Sequence, residues 1–466
     1  MVIEDIHKEI DNRWDSHLAE TRRLLRVPSV SATGEGIQKT ADMIEAMLKD
    51  FGAESGQFKG EKTSHPLVHG HLDVGSDLTC IIYGMYDVQP VGNLEEWNHP
   101  PFGAKIVKSK PLGEILVNRG VFNSKGALAG TLLAIRTMVD KDALPVNLRF
   151  LIEGEEETGG RSLPQYVFKN KRTLSKADAV LSFDYIQNSR GVPILSFGLK
   201  GCLYFDLVCD AVDRGGPTEE IHSSDAVWIE NPVQRLIAAL STLVDENQDP
   251  AVDGIWDEVD EPSKEDMELV KTLAKRFSTE TYLRELDAKK FKAGGSNIEL
   301  LKKYLFEPSL NVDGIRAGFT DVGSKTVLPA SAMAKLDIRL VPSMSVEGTR
   351  KRVLDHLKKR GFADIKMRKY EDYPWSKVPS NADVSRACVE SMRYHGYDPE
   401  VWPLVAGSAP FYLFDQVLEV PWGGAGLGHG GKAHAPNEFA VVSGMKNLEK
   451  NVTTVFWKFA EIARNS

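Results

Sequence analysis

Hydrophobic and polar positions follow a helical period in some segments of the chain and form short apolar runs in others. Apolar residues recur at helical spacing in three early segments, residues 3–25, 40–51 and 128–139. The apolar runs that predict strands in the same part of the chain are 67–68, 79–83, 146–152 and 179–183. The first two of these strands are predicted to flank a polar hairpin. Strands that alternate with helices indicate a layered α/β domain with its functional groups at the strand ends.

The pattern changes after residue 200. Here 202–208 and 334–341 alternate as antiparallel strands do, while 231–244 and 346–360 are predicted helices. This order lacks the earlier strand–helix–strand rhythm and indicates an α+β insertion. Two further predicted helices, 383–395 and 444–463, resume the α/β pattern of the first part of the chain. The chain is therefore predicted to form one domain from residues 1–200 and 383–466, interrupted by a second domain at 201–382.

Composition and charge exclude several classes of protein. Lys and Arg number 57 against 66 Asp and Glu, a net charge of −9, so the chain has no basic surface for a nucleic acid. No apolar run approaches the length needed to span a membrane, and no secretory signal is recognisable at the N-terminus. The four cysteines are far apart, which argues against a disulfide framework or a thiolate metal site. We expect a cytoplasmic protein.

The most unusual stretch is 150–160, an apolar strand that runs into Glu153, Glu155, Glu156 and Glu157 and then two glycines. Adjacent carboxylates repel one another, and burial raises their pKa values. A bound cation, or a proton held for acid–base chemistry, would compensate for this clustering. The alternative is an acidic turn exposed to solvent, which is the usual explanation for a run of like charges.

Four other segments bear on this choice: Tyr-Gly-Met-Tyr-Asp-Val-Gln-Pro at 83–90, Asn-Arg-Gly-Val-Phe-Asn-Ser-Lys-Gly at 118–126, Ser-Phe-Asp at 182–184 and Gly-Gly-Lys-Ala-His-Ala-Pro-Asn-Glu at 430–438. In this order, together with the acidic stretch, they resemble the site motifs of the dinuclear-zinc exopeptidases. That family includes cytosolic dipeptidases, carnosinases, aminoacylases and glutamate carboxypeptidases. The resemblance covers nearly the whole chain, and the cytosolic dipeptidase branch is the most similar. It implies a catalytic domain interrupted by a lid and dimerisation domain.

The resemblance also implies roles for individual residues. Glu156 matches the general base and Glu157 a metal ligand, since one carboxylate must bind the cation while its neighbour reaches the water. Asp184 matches a ligand of one metal and His434 a ligand of the other. Without the resemblance, Asp184 would be interpreted as a helix cap and His434 as a surface histidine. Asp87 matches an aspartate that orients a ligand.

At two positions the chain departs from this pattern. Met85 stands where the family has a metal-binding histidine, and Asn123 stands where it has the aspartate that bridges two metals. A thioether is a poor ligand for zinc, manganese or cobalt, and an amide lacks the charge needed to bridge two cations. We therefore expect one such divalent ion per chain, on Glu157 and His434 with help from Asn123 or Asp184.

In the inserted domain, the resemblance matches Arg339 and Thr326 to residues that bind a substrate carboxylate. A guanidinium fits a carboxylate bidentately, although a lone arginine on a strand is more often part of a structural ion pair. His222 matches a histidine that reaches the site of a partner subunit, which implies a homodimer. The residue after His222-Ser is Ser224, where the family has glycine.

The loop at 403–410 keeps Gly407 and Ser408 as substrate-binding candidates but has Leu404 and Val405 where dipeptidases carry an arginine and a glutamate. An apolar wall cannot pair with an ammonium group. A small substrate with a carboxylate and a neutral acyl side is therefore expected.

Three hypotheses follow. The first is a metal-dependent hydrolase of an amide bond adjacent to a carboxylate. The second is a catalytically silent relative that binds a carboxylate ligand, which the substitutions Met85, Asn123, Leu404 and Val405 would explain. The third is hydrolytic removal of an amine on the same scaffold.

Overall fold

The computed structural model describes residues 2–61, 64–370 and 372–466. The chain divides into two compact units. The first comprises Met1–Phe197, Val378–Trp402 and Leu413–Ser466, and the second comprises Gly198–Lys377 and Pro403–Tyr412. The sequence placed the whole of 383–466 in the first domain, whereas the structure assigns the ten-residue segment Pro403–Tyr412 to the second unit. That segment lacks a helical or alternating pattern, so its sequence gives no sign of the unit to which it belongs.

The α-helices of the described chain are α1 (Ile3–Leu25), α2 (Ile37–Asp50), α3 (Lys125–Asp140), α4 (Ser162–Leu174), α5 (Pro232–Leu240), α6 (Lys264–Ala274), α7 (Thr279–Glu285), α8 (Asn297–Phe306), α9 (Val346–Lys359), α10 (Asp383–Tyr394) and α11 (Val442–Ala463). The predicted helices lie within a few residues of these bounds. Helix α5 ends four residues before the predicted end, at Leu240.

The strands are β1 (Glu54–Phe58), β2 (Leu67–Leu72), β3 (Thr79–Met85), β4 (Lys105–Ser109), β5 (Gly113–Val117), β6 (Asn147–Glu153), β7 (Ala179–Phe183), β8 (Ile194–Ser196), β9 (Gly198–Leu199), β10 (Gly201–Asp210), β11 (Ile221–His222), β12 (Ser309–Ala317), β13 (Val327–Leu328), β14 (Ser331–Leu340), β15 (Lys366–Lys369), β16 (Ser376–Lys377), β17 (Glu400–Trp402), β18 (Trp422–Ala425), β19 (Gly430–Gly431) and β20 (Phe439–Val441).

The first unit is built on a six-stranded sheet of order β1-β2-β6-β3-β7-β18. Strands β6, β3, β7 and β18 run parallel, and β2 and β1 are antiparallel additions at one side. The predicted hairpin between β2 and β3 is wrong, because β6 lies between them. A polar stretch between two apolar runs cannot distinguish a hairpin from strands separated by a third.

Helix α3 is almost entirely buried, and its small residues let other elements approach closely. A Cβ at Gly130, for example, would lie 2.9 Å from a methyl carbon of Leu448 on α11. Side chains from α1, α2, α3, α10 and α11 join those of the sheet in one hydrophobic core. The first unit also contains a smaller antiparallel sheet of order β19-β20-β5-β4, which includes the glycines of the 430–438 loop.

The second unit contains an antiparallel sheet of order β12-β14-β10-β15, with a separate core that includes residues from α5 and α9. Strand β14 alternates buried and half-buried residues over most of its length, as the sequence pattern predicted. The predicted α/β class, with an α+β second part, agrees with this architecture. No helix in the described ranges is long and apolar enough to cross a membrane, and all four cysteines are free.

Two histidines stack between helices of the first unit. The rings of His7 and His395 lie 5.3 Å apart, and each places a ring nitrogen within 3.2 Å of the Thr454 hydroxyl. Burial lowers the pKa of His395 to about 4, and His7 and Lys450 act in the same direction. Lys450 also lowers the pKa of His7, while Glu4 and Asp11 oppose that effect.

We therefore expect stability to fall with acidification through this pair. The pKa of His395 is lower in the folded than in the unfolded chain, so its contribution is present above about pH 6.5 and is lost as pH falls toward 4. Relative to His395→Gln, the wild-type chain should lose roughly 2–3 kcal/mol of unfolding free energy between these limits. Denaturant unfolding at pH 7.5 and pH 4.5 measures this difference, and equal pH dependence in both proteins would contradict it.

Candidate functional site

The carboxyl ends of β6, β3 and β7 meet at one edge of the sheet because these strands are parallel neighbours. Met85 at the end of β3 is in register with Glu153 at the end of β6. The residues that follow, Asp87 after β3, the acidic turn after β6 and Asp184 after β7, therefore leave the sheet at the same edge.

Asp87 holds the acidic turn in place. Its two carboxylate oxygens accept hydrogen bonds from the backbone N–H groups of Glu156 and Glu157, at 3.1 and 3.0 Å. Asp87 is fully buried, and burial raises its pKa to about 6 despite these bonds. Its proposed role of orienting a histidine has no partner here, since Met85 stands in that place. In this chain Asp87 orients the turn instead.

The four glutamates of the acidic stretch occupy different environments. Glu155 accepts three backbone hydrogen bonds, from His65, Arg161 and Ser162, and so caps the start of α4. Glu153 is completely buried and accepts a hydrogen bond from the Tyr83 hydroxyl. Burial and the nearby Glu156 raise the pKa of Glu153 well above its usual range. These two glutamates are structural, so the solvated acidic turn is not what the structure shows.

Glu156 is the glutamate that suits proton transfer. Burial raises its pKa to about 8, and Glu157, Asp87 and Asp184 add to the effect. A carboxyl group that gains and loses a proton near neutral pH can act as a general base and then as a general acid.

Beside Glu156, three polar atoms form a small triangle. Asn123 Nδ2 lies 2.7 Å from Glu157 Oε1 and 2.9 Å from His434 Nε2, and those two atoms are 3.2 Å apart. Hydrogen bonds cannot satisfy all three edges. An unprotonated His434 Nε2 can accept a hydrogen bond from Asn123, but it then offers no hydrogen to the Glu157 carboxylate. A protonated Nε2 can donate to Glu157, but its hydrogen then lies against the N–H of Asn123.

A single divalent cation resolves this conflict. The orientation of an asparagine amide is assigned rather than observed, and rotation by 180° would direct Oδ1 into the triangle. Three lone pairs would then converge from an amide, a carboxylate and an imidazole. Ligands around a tetrahedral cation lie about 3.3 Å apart. The 3.2 Å distance between Glu157 and His434 agrees with this, and the two shorter distances to Asn123 would have to lengthen by about 0.5 Å. Glu157, His434 and Asn123 therefore fit one divalent ion.

A second ion would need ligands beyond these three. Asp184 is half-buried with Oδ1 unpartnered, a hydrogen bond from Ser124 and a pKa that burial raises to about 6. Asp184 makes no hydrogen bond to Glu157 or His434 in the described structure, and Met85 offers only sulfur. Within the described ranges, no three His, Cys, Asp or Glu side chains converge as a metal site would require. The unpartnered Oδ1 of Asp184 is free to bind a cation, so Asp184 stays a candidate ligand together with Asn123.

In the second unit, His222 and Thr326 lie together. His222 Nδ1 accepts a hydrogen bond from the Ser224 backbone N–H at 3.1 Å, so a neutral ring carries its proton on Nε2 and donates to Thr326 Oγ1 at 3.0 Å. Ser224, where the family has glycine, also places its hydroxyl 2.9 Å from Nδ1. The substitution therefore supports the local turn and leaves His222 exposed.

Arg339 and Ser408 form a second contact in this unit. Arg339 Nη1 donates to Ser408 Oγ at 2.9 Å, and Ser408 donates in turn to the backbone carbonyl of Lys200 at 2.7 Å. Arg339 Nε also lies 3.4 Å from Asp337, so both the substrate and the ion-pair interpretations remain open. Gly407 is exposed, and a Cβ there would meet nothing within 4 Å. Leu404 is fully buried, so it cannot form the expected apolar wall by itself.

Sequence reasoning missed two residues that contact this site. Gln89 Nε2 donates to the second oxygen of Glu157 at 2.9 Å, and Glu438 accepts the backbone N–H of Asn123 at 2.9 Å. Both lie within the sequence motifs named above, but the sequence around a loop glutamine or glutamate does not show which group its side chain contacts.

The chain is similar to known proteins in sequence and in structure. The sequence profile of peptidase family M20/M25/M40 matches residues 81–456. The Cys-Gly metallodipeptidase dug1 of Schizosaccharomyces pombe is 28% identical over 77% of this chain and 76% of its own length. The human Beta-Ala-His dipeptidase is 32% identical over 61% of this chain but only 55% of its own length.

A solved structure is also similar over nearly the whole chain. The M20 family metallo-carboxypeptidase Sso-CP2 from Sulfolobus solfataricus superposes with a TM-score of 0.88 at 33% identity, covering 96% of this chain and 99% of its own. The predicted fold class and the resemblance to exopeptidases of this kind are confirmed.

The triangle generates a prediction about metal content. Replacing Met85→His and Asn123→Asp together restores an imidazole and a bridging carboxylate, so bound divalent metal should rise by about one ion per chain. Elemental analysis after dialysis with Mn²⁺ or Zn²⁺ measures this number. A matched protein with Met85→Leu, which supplies no ligand, should retain the wild-type content. An unchanged metal content in the double variant would contradict the assignment of these two positions.

Proposed function

Because the chain belongs to the peptidase family M20/M25/M40, we propose that it hydrolyses an amide bond adjacent to a carboxylate with one divalent ion per chain. The observation that carries this proposal is the triangle of Asn123, Glu157 and His434 beside Glu156. It pairs a cation site with a carboxyl group whose pKa lies near 8. Zinc, manganese and cobalt all suit such a mixed nitrogen and oxygen site.

The division of labour follows from the contacts. Asp87 fixes the backbone of Glu156 and Glu157, so the two side chains leave a rigid turn. Glu157, His434 and Asn123 would hold the cation, which supplies positive charge to the scissile carbonyl and acidity to water. Glu156 takes a proton from the attacking water on its carboxylate and returns it to the leaving nitrogen.

The substrate class is supported by the similar proteins described above, two dipeptidases and a carboxypeptidase, and by Arg339. A dipeptidase and a carboxypeptidase both cleave next to a terminal carboxylate, and a guanidinium is the side chain that binds such a group bidentately. Arg339 is about one-third exposed and is steadied by Ser408. We propose that Arg339 binds the substrate carboxylate and that Thr326, Ser408 and Gly407 also take part in substrate binding.

A homodimer and a cytoplasmic location are part of the same proposal. His222 is exposed, and a role in catalysis in a partner subunit would account for its ordered tautomer. Strand β12 pairs only with β14 among the described strands and exposes Val312 and Ile315, as an edge strand that joins a second copy would.

Glu156→Gln should lower kcat by at least about 100-fold, because an amide cannot take the proton. Glu153→Gln is the matched control: burial and the nearby Glu156 raise the pKa of Glu153 well above its usual range, so this side chain suits replacement by a neutral amide of the same shape. Both variants are assayed on dipeptides and N-acyl amino acids with added Mn²⁺, Zn²⁺ or Co²⁺. Full turnover in Glu156→Gln, or ligand binding without any turnover in the wild-type chain, would contradict the proposal.

Arg339→Lys should raise KM about tenfold or more with a smaller change in kcat, because one ammonium replaces a bidentate fork. Arg352→Lys, on α9 and paired with Glu258, provides the comparison and should leave KM unaltered. If Arg339 serves only its ion pair with Asp337, both variants will show the wild-type KM.

A further inference from the structure

Glu438 is a buried carboxylate that ties two loops together. It is 1% exposed and follows His434 by four residues. One oxygen, Oε1, accepts hydrogen bonds from the backbone N–H groups of Phe122 and Asn123, both at 2.9 Å. The other, Oε2, accepts from the Gly120 N–H at 2.9 Å and from Arg119 Nη1 at 2.8 Å.

Arg119 extends this connection to a third segment. It is also 1% exposed, donates to the carbonyl of Pro90 at 3.3 Å and lies over the ring of Trp97 at 5.3 Å. Gly120 is required here, because its φ is +83° and a Cβ would lie 2.4 Å from a methyl carbon of Val88. The loop of Asn123 therefore lies close against the segment that follows β3.

The loop that carries His434 needs such an anchor. His434, Lys432 and Asn437 all have φ near +60°, the left-handed region that side chains disfavour. Asn437 fixes the loop on one side, accepting from the Asn98 N–H and donating to the Glu96 carbonyl, each at 2.7 Å. Glu438 fixes it on the other side.

From these contacts we infer that Glu438 is a positioning residue that sets the spacing between Asn123 and His434, and so the geometry of the cation site. A carboxylate is needed because it offers acceptors only, and four donors converge on it. A glutamine of the same shape would turn its own N–H groups toward backbone N–H groups. The inference rests on the proposed function only for the identity of what the two loops hold.

The wild-type chain provides the first test. The amides of Gly120, Phe122 and Asn123 lie in a loop, yet their bonds to a buried carboxylate should protect them from hydrogen exchange about as well as the amides of a central strand such as β6. Exchange of a peptide spanning 118–124 is measured by mass spectrometry. Exchange as fast as that of an unstructured loop would overturn the inference.

Glu438→Gln provides the second test, with Glu449→Gln as its matched control. Glu449 is equally buried and accepts a 2.6 Å hydrogen bond from His17, between α11 and α1. Both variants replace a buried, hydrogen-bonded carboxylate by an amide, but only Glu438→Gln should raise exchange about tenfold or more in peptides 118–124 and 430–438. Equal increases in both variants would reveal a general loss of stability and overturn the inference.

Metal affinity separates this inference from the proposed function. Mn²⁺ and Zn²⁺ should bind Glu438→Gln about 10–100-fold more weakly than the wild-type chain, with affinity unchanged in Glu449→Gln. If the wild-type chain binds neither ion, the proposed function fails while the exchange measurement still decides the role of Glu438. Equal affinity in Glu438→Gln and the wild type would overturn the positioning role at the cation site.

Discussion

The site depends on how the fold compensates for the carboxylates that converge at the ends of β3, β6 and β7. Backbone N–H groups stabilise two of these carboxylates, since Asp87 accepts two of them and Glu155 accepts three. Glu438, which precedes β20, accepts three backbone N–H groups and an arginine in addition. Each of these bonds also fixes a segment of backbone. The same contacts therefore stabilise the charges and determine where the functional side chains lie.

Glu156 and Glu157 accept no backbone N–H group among the described residues, and they differ from each other. Glu157 accepts hydrogen bonds from two neutral side-chain amides, those of Asn123 and Gln89, and lies beside an imidazole. In the part of the chain that the structure describes, no donor is recorded for the carboxyl group of Glu156. A group whose charge is left without hydrogen bonds in a buried place has a raised pKa and exchanges protons readily near neutrality. This contrast supports the proposal in which Glu157 binds the cation and Glu156 transfers the proton.

How much the sequence could predict depended on the range of the interaction. Helix α1 and the strands β3, β6 and β7 follow from local apolar patterns, and the parallel order then brings Asp87, Glu156 and Asp184 to one edge. The place of β6 between β2 and β3 is a matter of pairing, which no local pattern contains. The same holds for Glu438 and Gln89, whose partners lie 315 and 68 residues away along the chain. The resemblance gave Asp87 the role of orienting a ligand and did not predict its hydrogen bonds to the acidic turn.

The two substitutions at the site have a common electrostatic consequence. Two divalent ions close together require several carboxylates around them, including one shared between the ions, to offset four positive charges. With Asn123 in the position of the shared aspartate and Met85 in that of a histidine, the chain retains Glu157 at the triangle, Glu156 next to it in sequence and the half-buried Asp184 close enough to act on Glu156. These three carboxylates can balance one divalent ion but leave two ions, with four positive charges, in excess. The loss of a bridging charge and the loss of an imidazole thus favour the same single-ion site. In that site the amide completes the set of ligands and adds no negative charge in excess of what one cation balances.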